Sequence, residues 1–118
     1  MTLTVHQIEQ AVREAKEAAY EAADNYFQTK LGGRDQYSCG FAWVNIYKFN
    51  GVQIKGNTKI GRAMKQAGIR QDYTKAFQIW NPSGYGCQNV DTLEAGARAA
   101  ADVFTKYGFT AYAGSRLD

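Results

Sequence analysis

The sequence has few of the residues that disulfide-rich, metal-binding and membrane proteins require. Its two cysteines, Cys39 and Cys87, and its single histidine, His6, have spacings that fit no zinc signature. No apolar run approaches the roughly 18 residues of a membrane span, and the N-terminus lacks the basic-then-apolar layout of a signal peptide. We therefore expect a protein without a metal centre or a membrane span, with both thiols reduced in a cytosolic environment.

Aliphatic residues and net charge are also low. Leu, Ile, Val and Phe together are 22 of 118 residues, about 19%, which is close to the level typical of disordered chains. The high net charge of such chains is absent, because 14 basic and 11 acidic residues leave +3. Eight tyrosines and two tryptophans are expected to supply the missing bulk. The length is enough for one folded domain with a modest core.

Helical periodicity is the clearest local signal. Apolar residues recur at steps of three and four in three segments, at about 5–30, about 58–67 and about 92–107. Thr4 and Gln7 fit a capping box at the start of the first helix, and Asp91 with Glu94 fits a second one before the third. Much of each apolar stripe is alanine, so the helices are expected to lie close to the surfaces that they cover.

Strand signals lie between these helices. Residues about 37–55 are typical of a hairpin around Asn50-Gly51, since both turn positions tolerate a positive φ. Shorter strands are expected at about 76–80 and about 109–113. The order α-β-β-α-β-α-β predicts a single α+β domain with a small, mostly antiparallel sheet packed by about three alanine-rich helices.

Several segments resemble small uncharacterised proteins encoded by tailed bacteriophages. These segments are Phe41-Ala42-Trp43-Val44, Gly56-Asn57-Thr58-Lys59-Ile60-Gly61, Trp80-Asn81-Pro82-Ser83-Gly84, Asn89-Val90-Asp91 and the ending Ala111-Tyr112-Ala113-Gly114-Ser115-Arg116-Leu117-Asp118. The resemblance carries no activity to this chain. It implies a small protein that acts in the host bacterial cytoplasm during infection, as a binder or inhibitor rather than as a metabolic enzyme.

Positive charge is concentrated in the middle of the sequence. Residues 48–75 contain seven basic side chains and one acidic one, and Lys55, Lys59 and Arg62 lie at or near the start of the second predicted helix. Free N–H groups and the helix dipole favour anions at such a position. These residues could bind the phosphates of a nucleic acid or nucleotide, bind an acidic host protein, or form a solvated helix face.

The loop before the third predicted helix is a second candidate site. Trp80, Asn81, Tyr85 and Asn89 place aromatic rings and amides within a short stretch, and such groups stack on bases and pair with base edges. The alternative is structural: Trp80 fills the core, Asn81 starts a turn and Asn89 braces the helix. Near the C-terminus, Arg116 could clamp an anion or lie free in solvent.

Catalytic interpretations have weaker support. The sequence has no phosphate-binding Walker loop and no dinucleotide fingerprint, so we expect no cofactor. Cys87 or Asp91 would be the centre of a small enzyme, but His6 lies in the first turn of a helix, where the dipole disfavours its cation. The sequence favours a non-catalytic phage-type accessory protein that binds a phosphate-bearing ligand, a nucleic acid or nucleotide, through the basic central segment and the aromatic and amide loop together. A protein inhibitor of a host or defence protein is the first alternative, and a small cysteine- or carboxylate-dependent enzyme is the second.

The first helix also predicts a homodimer. Its apolar stripe is longer than a small sheet needs, and the part around Ala19, Ala22 and Tyr26 could meet a symmetry mate through small residues. The alternative is a monomer whose first helix crosses the whole sheet.

Overall fold

In a computed structural model, which describes residues 3–118, the chain forms three helices and five strands. In chain order they are α1 (Val5–Lys30), β1 (Gly40–Phe49), β2 (Val52–Gln53), α2 (Lys59–Gln66), β3 (Arg70–Gln71), β4 (Phe77–Trp80), α3 (Val90–Lys106) and β5 (Phe109–Leu117). The α+β class and the predicted element order are confirmed. The additional strand β3 has two residues, too few for an alternating pattern to be recognised in the sequence.

The starts of two helices show how far local signals reach. The capping box of α1 is present, since the Gln7 N–H donates to Thr4 Oγ1 at 3.2 Å and the Thr4 N–H donates to Gln7 Oε1 at 2.9 Å. The capping box predicted at Asp91 is wrong. Asn89 caps α3 instead, with its Oδ1 accepting from the Thr92 N–H at 2.8 Å, so the helix begins earlier than predicted.

Strand β1 is the centre of the sheet. β5 pairs antiparallel with one side of it along its whole length, while β2 and β4 pair antiparallel with the other side and β3 extends the sheet beyond β4. The β1–β2 hairpin turns at Asn50 and Gly51, with φ values of 50° and 79°, as the sequence predicts. All of the pairings are antiparallel.

Strand β5 is longer than its sequence predicts. It was expected to end at about residue 113, but Gly114 and Arg116 continue the ladder opposite Trp43 and Phe41. Gly, Ser and Arg have little strand preference of their own, so this extension depends on the partner strand rather than on local propensity. Arg116 is therefore part of the sheet and not of a frayed tail.

The two faces of the sheet have different environments. Ala42, Val44 and Ile46, at even positions of β1, are fully buried and share one hydrophobic core with residues of all three helices. Phe41, Trp43, Asn45 and Tyr47, at odd positions of β1, are partly buried or exposed and project from the opposite face. The register with β5 shifts between Ile46 and Lys48, so Phe49 lies opposite Phe109 and packs against the core. Within residues 3–118 the helices thus cover one face of the sheet and leave the other open.

The helix layer is closely packed through small residues. A Cβ on Gly96 of α3 would lie 3.0 Å from the Ala19 carbonyl oxygen of α1, so only glycine allows this approach. Ala19 is fully buried within the chain and is not available to a symmetry mate, unlike the expectation for a dimer through α1. Ala22 and Tyr26 are half-buried. None of the helices in the described part of the chain is long and apolar enough to span a membrane.

Candidate functional site

Aromatic rings occupy the sheet face that the helices leave uncovered, here called the open face. Because directly opposed residues share a face, the register places rings from β1, β4 and β5 there. These rings belong to Phe41, Trp43, Tyr47, Trp80 and Tyr112. Half of the Trp80 surface and 63% of the Tyr112 surface are exposed to solvent. Exposed apolar surface of this kind is typical of an interaction site.

Three of these rings form one group, here called the aromatic cluster: Phe41, Trp43 and Trp80. The indoles of Trp43 and Trp80 face each other across β1 and β4 and are parallel to within 3°, with centroids 5.2 Å apart. The Phe41 ring centre lies 5.8 Å from that of Trp80. On the other side, the guanidinium carbon of Arg116 lies 5.4 Å from the Phe41 ring centre, within cation–π distance.

Gly114 determines where the Trp43 indole can lie. It is the β5 residue opposite Trp43, and a Cβ there would be 2.5 Å from Trp43 Nε1 and 2.6 Å from Cε2. Because glycine has no such atom, the indole rests directly on the β5 backbone. Trp43 is thus held between that backbone and the Trp80 ring.

A second pair of rings lies further along the same face. The Tyr47 and Tyr112 ring centres are 6.1 Å apart. Trp43 and Tyr47 are four residues apart on β1, which corresponds to about 13 Å of strand. Between the two ring groups, the Gln78 side-chain amide donates to Asn45 Oδ1 at 3.0 Å. The open face therefore presents two aromatic platforms separated by a pair of amides.

A groove of about 500 Å³ runs along this face between the aromatic cluster and the loop around Tyr73. Tyr73 lines the groove and is 96% exposed. The adjacent Asp72 also lines the groove, but its Oδ1 accepts from the Thr74 N–H at 2.8 Å and from the Thr74 hydroxyl at 2.6 Å. The Thr74 hydroxyl is the main cause that lowers the pKa of Asp72. This carboxylate therefore stabilises its own turn.

Positive charge is distributed on the sheet side of the protein. Arg70 lies opposite Gln78, which lies opposite Asn45, so its side chain shares the open face with that of Arg116. Lys48 pairs with Thr110 near the Tyr47–Tyr112 platform. The three helices together carry eight acidic and eight basic side chains, whereas the rest of the chain carries three acidic and six basic ones. The open face and its surroundings are therefore electropositive relative to the helix layer.

The basic segment predicted from the sequence lies apart from the aromatic cluster. Lys55, Lys59 and Arg62 are exposed, but α2 packs its buried side into the core beneath the sheet. Arg62 Nη1 donates to the Asn57 carbonyl at 2.6 Å, and the Thr58 hydroxyl caps the helix by accepting from an amide of its first turn. None of the three basic residues lines the groove on the open face.

Tyr85 anchors its loop to the helix layer. Its ring packs between Tyr20 and Phe27 of α1, with centroid distances of 5.2 and 5.3 Å. Its hydroxyl donates to Asp24 Oδ1 at 2.6 Å, and this hydrogen bond raises the pKa of Tyr85 to about 12. Tyr85 therefore lies against α1 and not with Trp80 on the open face.

The two asparagines predicted as ligand-binding residues are used by the scaffold. Asn89 is 1% exposed, and its amide donates to the Gln36 carbonyl at 2.9 Å while its Oδ1 accepts from both the amide and the hydroxyl of Thr92. Asn81 has a φ of 46°, and its Oδ1 accepts from the Ser83 hydroxyl at 3.2 Å. These contacts are those of the structural alternative, so we leave both residues out of the candidate site.

A cysteine-dependent active site at Cys87 lacks a histidine base near the thiol. Both Cys39 and Cys87 are free thiols, and burial raises the pKa of Cys87, which disfavours the reactive thiolate. His6 lies 14 residues before Tyr20 on α1, which is about 21 Å of helix, and the Cys87 loop is held at Tyr20 and beyond by Tyr85. The imidazole is therefore remote from the thiol.

A carboxylate-dependent active site at Asp91 has no supporting cluster of metal-binding side chains within residues 3–118. Asp91 is exposed in the first turn of α3. Across residues 3–118, no three His, Cys, Asp or Glu side chains come together in a way that could hold a metal ion.

Of the residues predicted from the sequence, Trp80 and Arg116 meet in one site through Phe41. The sequence places Phe41 and Trp43 in a strand and does not single them out as site residues. Their signal was the aromatic residues at odd positions of β1, but that pattern does not say which face of a strand the helices cover.

Comparison of this chain with protein-family models, curated protein sequences and solved structures finds no match. The function is therefore argued from the open face itself.

Proposed function

We propose that this protein binds single-stranded nucleic acid on its open face, without catalysis. The observation that carries the proposal is the aromatic cluster, in which Trp43 and Trp80 are stacked on an uncovered sheet face and Trp80 is half exposed. Bases of single strands stack on exposed aromatic rings, and each such contact contributes about 1–3 kcal/mol. The bases of a duplex are already stacked on each other and offer no such contact.

Two features favour a polymer over a single nucleotide. The Trp43–Trp80 and Tyr47–Tyr112 platforms are separated by about 13 Å of strand, a distance that suits bases at different positions along one chain. The amides of Asn45 and Gln78 lie between the platforms, where they can contact the edge of an intervening base. A mononucleotide would use only one platform.

The cations on the open face supply the phosphate contacts. Arg70 and Arg116 project on either side of the groove residues, and Lys48 lies beside the tyrosine platform. Lys55, Lys59 and Arg62 have a different role in this proposal, because they lie outside the groove. They add to the long-range attraction between the protein and a polyanion.

The biological setting is proposed on the resemblance alone. A tailed-phage origin would place the protein in the host bacterial cytoplasm, where single-stranded DNA and RNA are both present. Stacking tolerates every base, so the proposal is for binding with little sequence preference.

The test is a fluorescence titration with end-labelled single-stranded oligonucleotides of mixed sequence. We expect Trp80→Ala to weaken binding by roughly 5- to 100-fold, which corresponds to the loss of one stacked base. Tyr20→Ala is the matched control, because Tyr20 is equally exposed but lies on α1 in the helix layer.

Salt dependence tests the cations separately. Arg116→Gln is expected to reduce the slope of log affinity against log salt by about one unit, while Arg13→Gln on α1 leaves it unchanged. Wild-type protein that binds no oligonucleotide at low salt would refute the proposal.

A protein partner is the second candidate function, and the composition of the open face favours it specifically. Trp, Tyr and Arg are the residues that dominate binding energy in protein interfaces. In this case the wild-type protein fails to bind oligonucleotides but forms a stoichiometric complex with an acidic host protein that survives nuclease treatment. Loss of that complex in Trp80→Ala would assign the open face to an inhibitor.

A further inference from the structure

Strand β5 has a long outer edge. It pairs with β1 on one side over Phe109–Leu117, nine residues, and has no strand on its other side within residues 3–118. The Asn81 N–H donates to the Ala42 carbonyl, so before the register shift at Ile46 the even positions of β1 direct their backbone groups toward β4, while Phe41, Trp43 and Asn45 direct theirs toward β5. The register then leaves Ala111, Ala113 and Ser115 with backbone groups that point outward.

This edge lacks several of the usual protections against pairing. The strands at the opposite side of the sheet, β2 and β3, have only two residues each. β5 has no proline, and Arg116 is its only charged residue. Edges that are not meant to pair are commonly short, charged, bulged away or interrupted by proline. The outer edge of β5 therefore has the features of a strand that pairs.

We propose that β5 pairs antiparallel with β5 of a second copy of this chain, around a two-fold axis at Ala113. Ala113 is the middle residue of Phe109–Leu117, so this register pairs the whole strand. Its outward backbone groups then bond to those of the same residue in the partner, and Ala111 bonds to Ser115 of the partner subunit. Because the outer β5 edge of each copy is paired with that of the other, no β5 edge is left for a third copy, and the assembly is a closed dimer.

The side chains fit this register. Arg116 comes opposite Thr110 of the partner subunit, so the only charged residue of the strand meets no like charge. Tyr112 comes opposite Gly114 of the partner subunit, a position without a side chain to obstruct its ring. On the helix side the strand carries Ala111, Ala113 and Ser115, whose small side chains let the two copies approach. This self-complementarity favours a second copy over an unrelated extended peptide.

The pairing would join the two sheets edge to edge. A two-fold axis between antiparallel neighbours is perpendicular to the sheet, so the open faces of both copies lie on the same side. The pairing of the two β5 strands does not depend on what the open face binds. It also differs from the dimer that the sequence predicts, which uses α1.

Charge substitution at Thr110 tests the interface, with mass measured by light scattering and sedimentation of the full chain. We expect the wild-type protein to have twice the 13.1 kDa chain mass at high micromolar concentration. Thr110→Lys sets a lysine against the partner's Arg116 twice per dimer, and the dissociation constant should rise roughly fivefold or more. Thr110→Glu replaces that repulsion with attraction and should lower it. Thr29→Lys, an exposed position on α1, is the control and should change nothing.

Amide hydrogen exchange in the wild-type protein tests the same interface without a substitution. The outward amides of Ala111, Ala113 and Ser115 should exchange slowly at high protein concentration and faster on dilution. A mass of one chain at every concentration overturns the proposal. So does a dimer that responds equally to Thr110→Lys, Thr110→Glu and Thr29→Lys, or one in which these amides exchange independently of concentration.

Discussion

A methyl group at Gly114 should disrupt the aromatic cluster from beneath. In Gly114→Ala, the new Cβ would lie 2.5–2.9 Å from three atoms of the Trp43 indole, well inside van der Waals contact. The β5 backbone is fixed by its ladder with β1, so the indole must move. Because Trp80 lies against the indole, a displacement of Trp43 disturbs the parallel stack with Trp80.

The expected change in the free energy of unfolding is the sum of two unfavourable terms and one favourable term. Overpacking costs about 1–3 kcal/mol, and loss of an aromatic pair costs about 0.5–1.5 kcal/mol. Replacing glycine by alanine in a strand returns about 0.5–1 kcal/mol, because the unfolded chain has less freedom to lose. We therefore expect Gly114→Ala to lower the free energy of unfolding by about 1–3 kcal/mol. For a chain of 118 residues this is a fall in Tm of roughly 4–12 °C.

Two spectroscopic measurements check this prediction. Thermal unfolding gives the change in Tm, and far-ultraviolet circular dichroism reports the exciton coupling of the stacked indoles, which should weaken. Gly86→Ala is the matched control, since Gly86 has a negative or extended φ and a Cβ there would meet nothing within 4 Å. If Gly114→Ala keeps both the coupling and the Tm of Gly86→Ala, the stated position of Trp43 on the β5 backbone is refuted.

Two further predictions concern residues that hold the loop between β4 and α3 in place. Tyr85 keeps its proton to a higher pH in the folded state than in the unfolded state, because its pKa is raised to about 12 by Asp24. The stabilising effect of this hydrogen bond is thus complete below pH 10 and is lost as pH rises from about 10 to about 12. Over this range the urea midpoint of unfolding should fall more in the wild-type protein than in Tyr85→Phe. An equal fall of the urea midpoint with pH in both proteins would contradict the hydrogen bond. Asn89→Ala should lower the free energy of unfolding by about 2–3 kcal/mol, through loss of the α3 cap and of the bond to the Gln36 carbonyl. Urea denaturation beside the exposed control Asn57→Ala measures it, and an effect on oligonucleotide affinity larger than the control's would return Asn89 to the binding site.

Local signals were sufficient for most of the fold. The Thr4–Gln7 capping box and the Asn50-Gly51 turn act through hydrogen bonds and backbone angles within a few residues, so the sequence contains all that they need. The C-terminal half of β5 depends on pairing with a strand some 70 residues earlier in the chain. A pairing between strands so far apart in the sequence leaves no pattern in the residues nearby. The sequence therefore predicts that Gly114–Leu117 lies beyond the last strand.

The candidate site was harder to predict for a related reason. Trp80 was identified by its residue type, and Arg116 by its charge. Their convergence on Phe41 depends on strand register, which fixes all three side chains on one face. The basic segment containing Lys55 was expected to share the site, because the sequence shows where positive charge is concentrated. The sequence does not show on which side of the sheet α2 packs.

Composition and function are connected through the one-sided sheet. None of the eight tyrosines and two tryptophans is fully buried, and of these ten only Tyr85 and Tyr107 pack against the core, so they supply less of the core bulk than the sequence led us to expect. Alanines fill much of the core instead, among them Ala15, Ala97 and Ala100, which are fully buried where helices and sheet approach closely. A sheet covered on one face needs few aliphatic residues, which accounts for their low number. The open face carries the rings of Phe41, Trp43, Tyr47, Trp80 and Tyr112, and apolar surface that is exposed to water there gains free energy by stacking on a ligand. The Trp43–Trp80 stack stabilises the fold, but half of the Trp80 surface stays exposed, and the proposed binding accounts for that half.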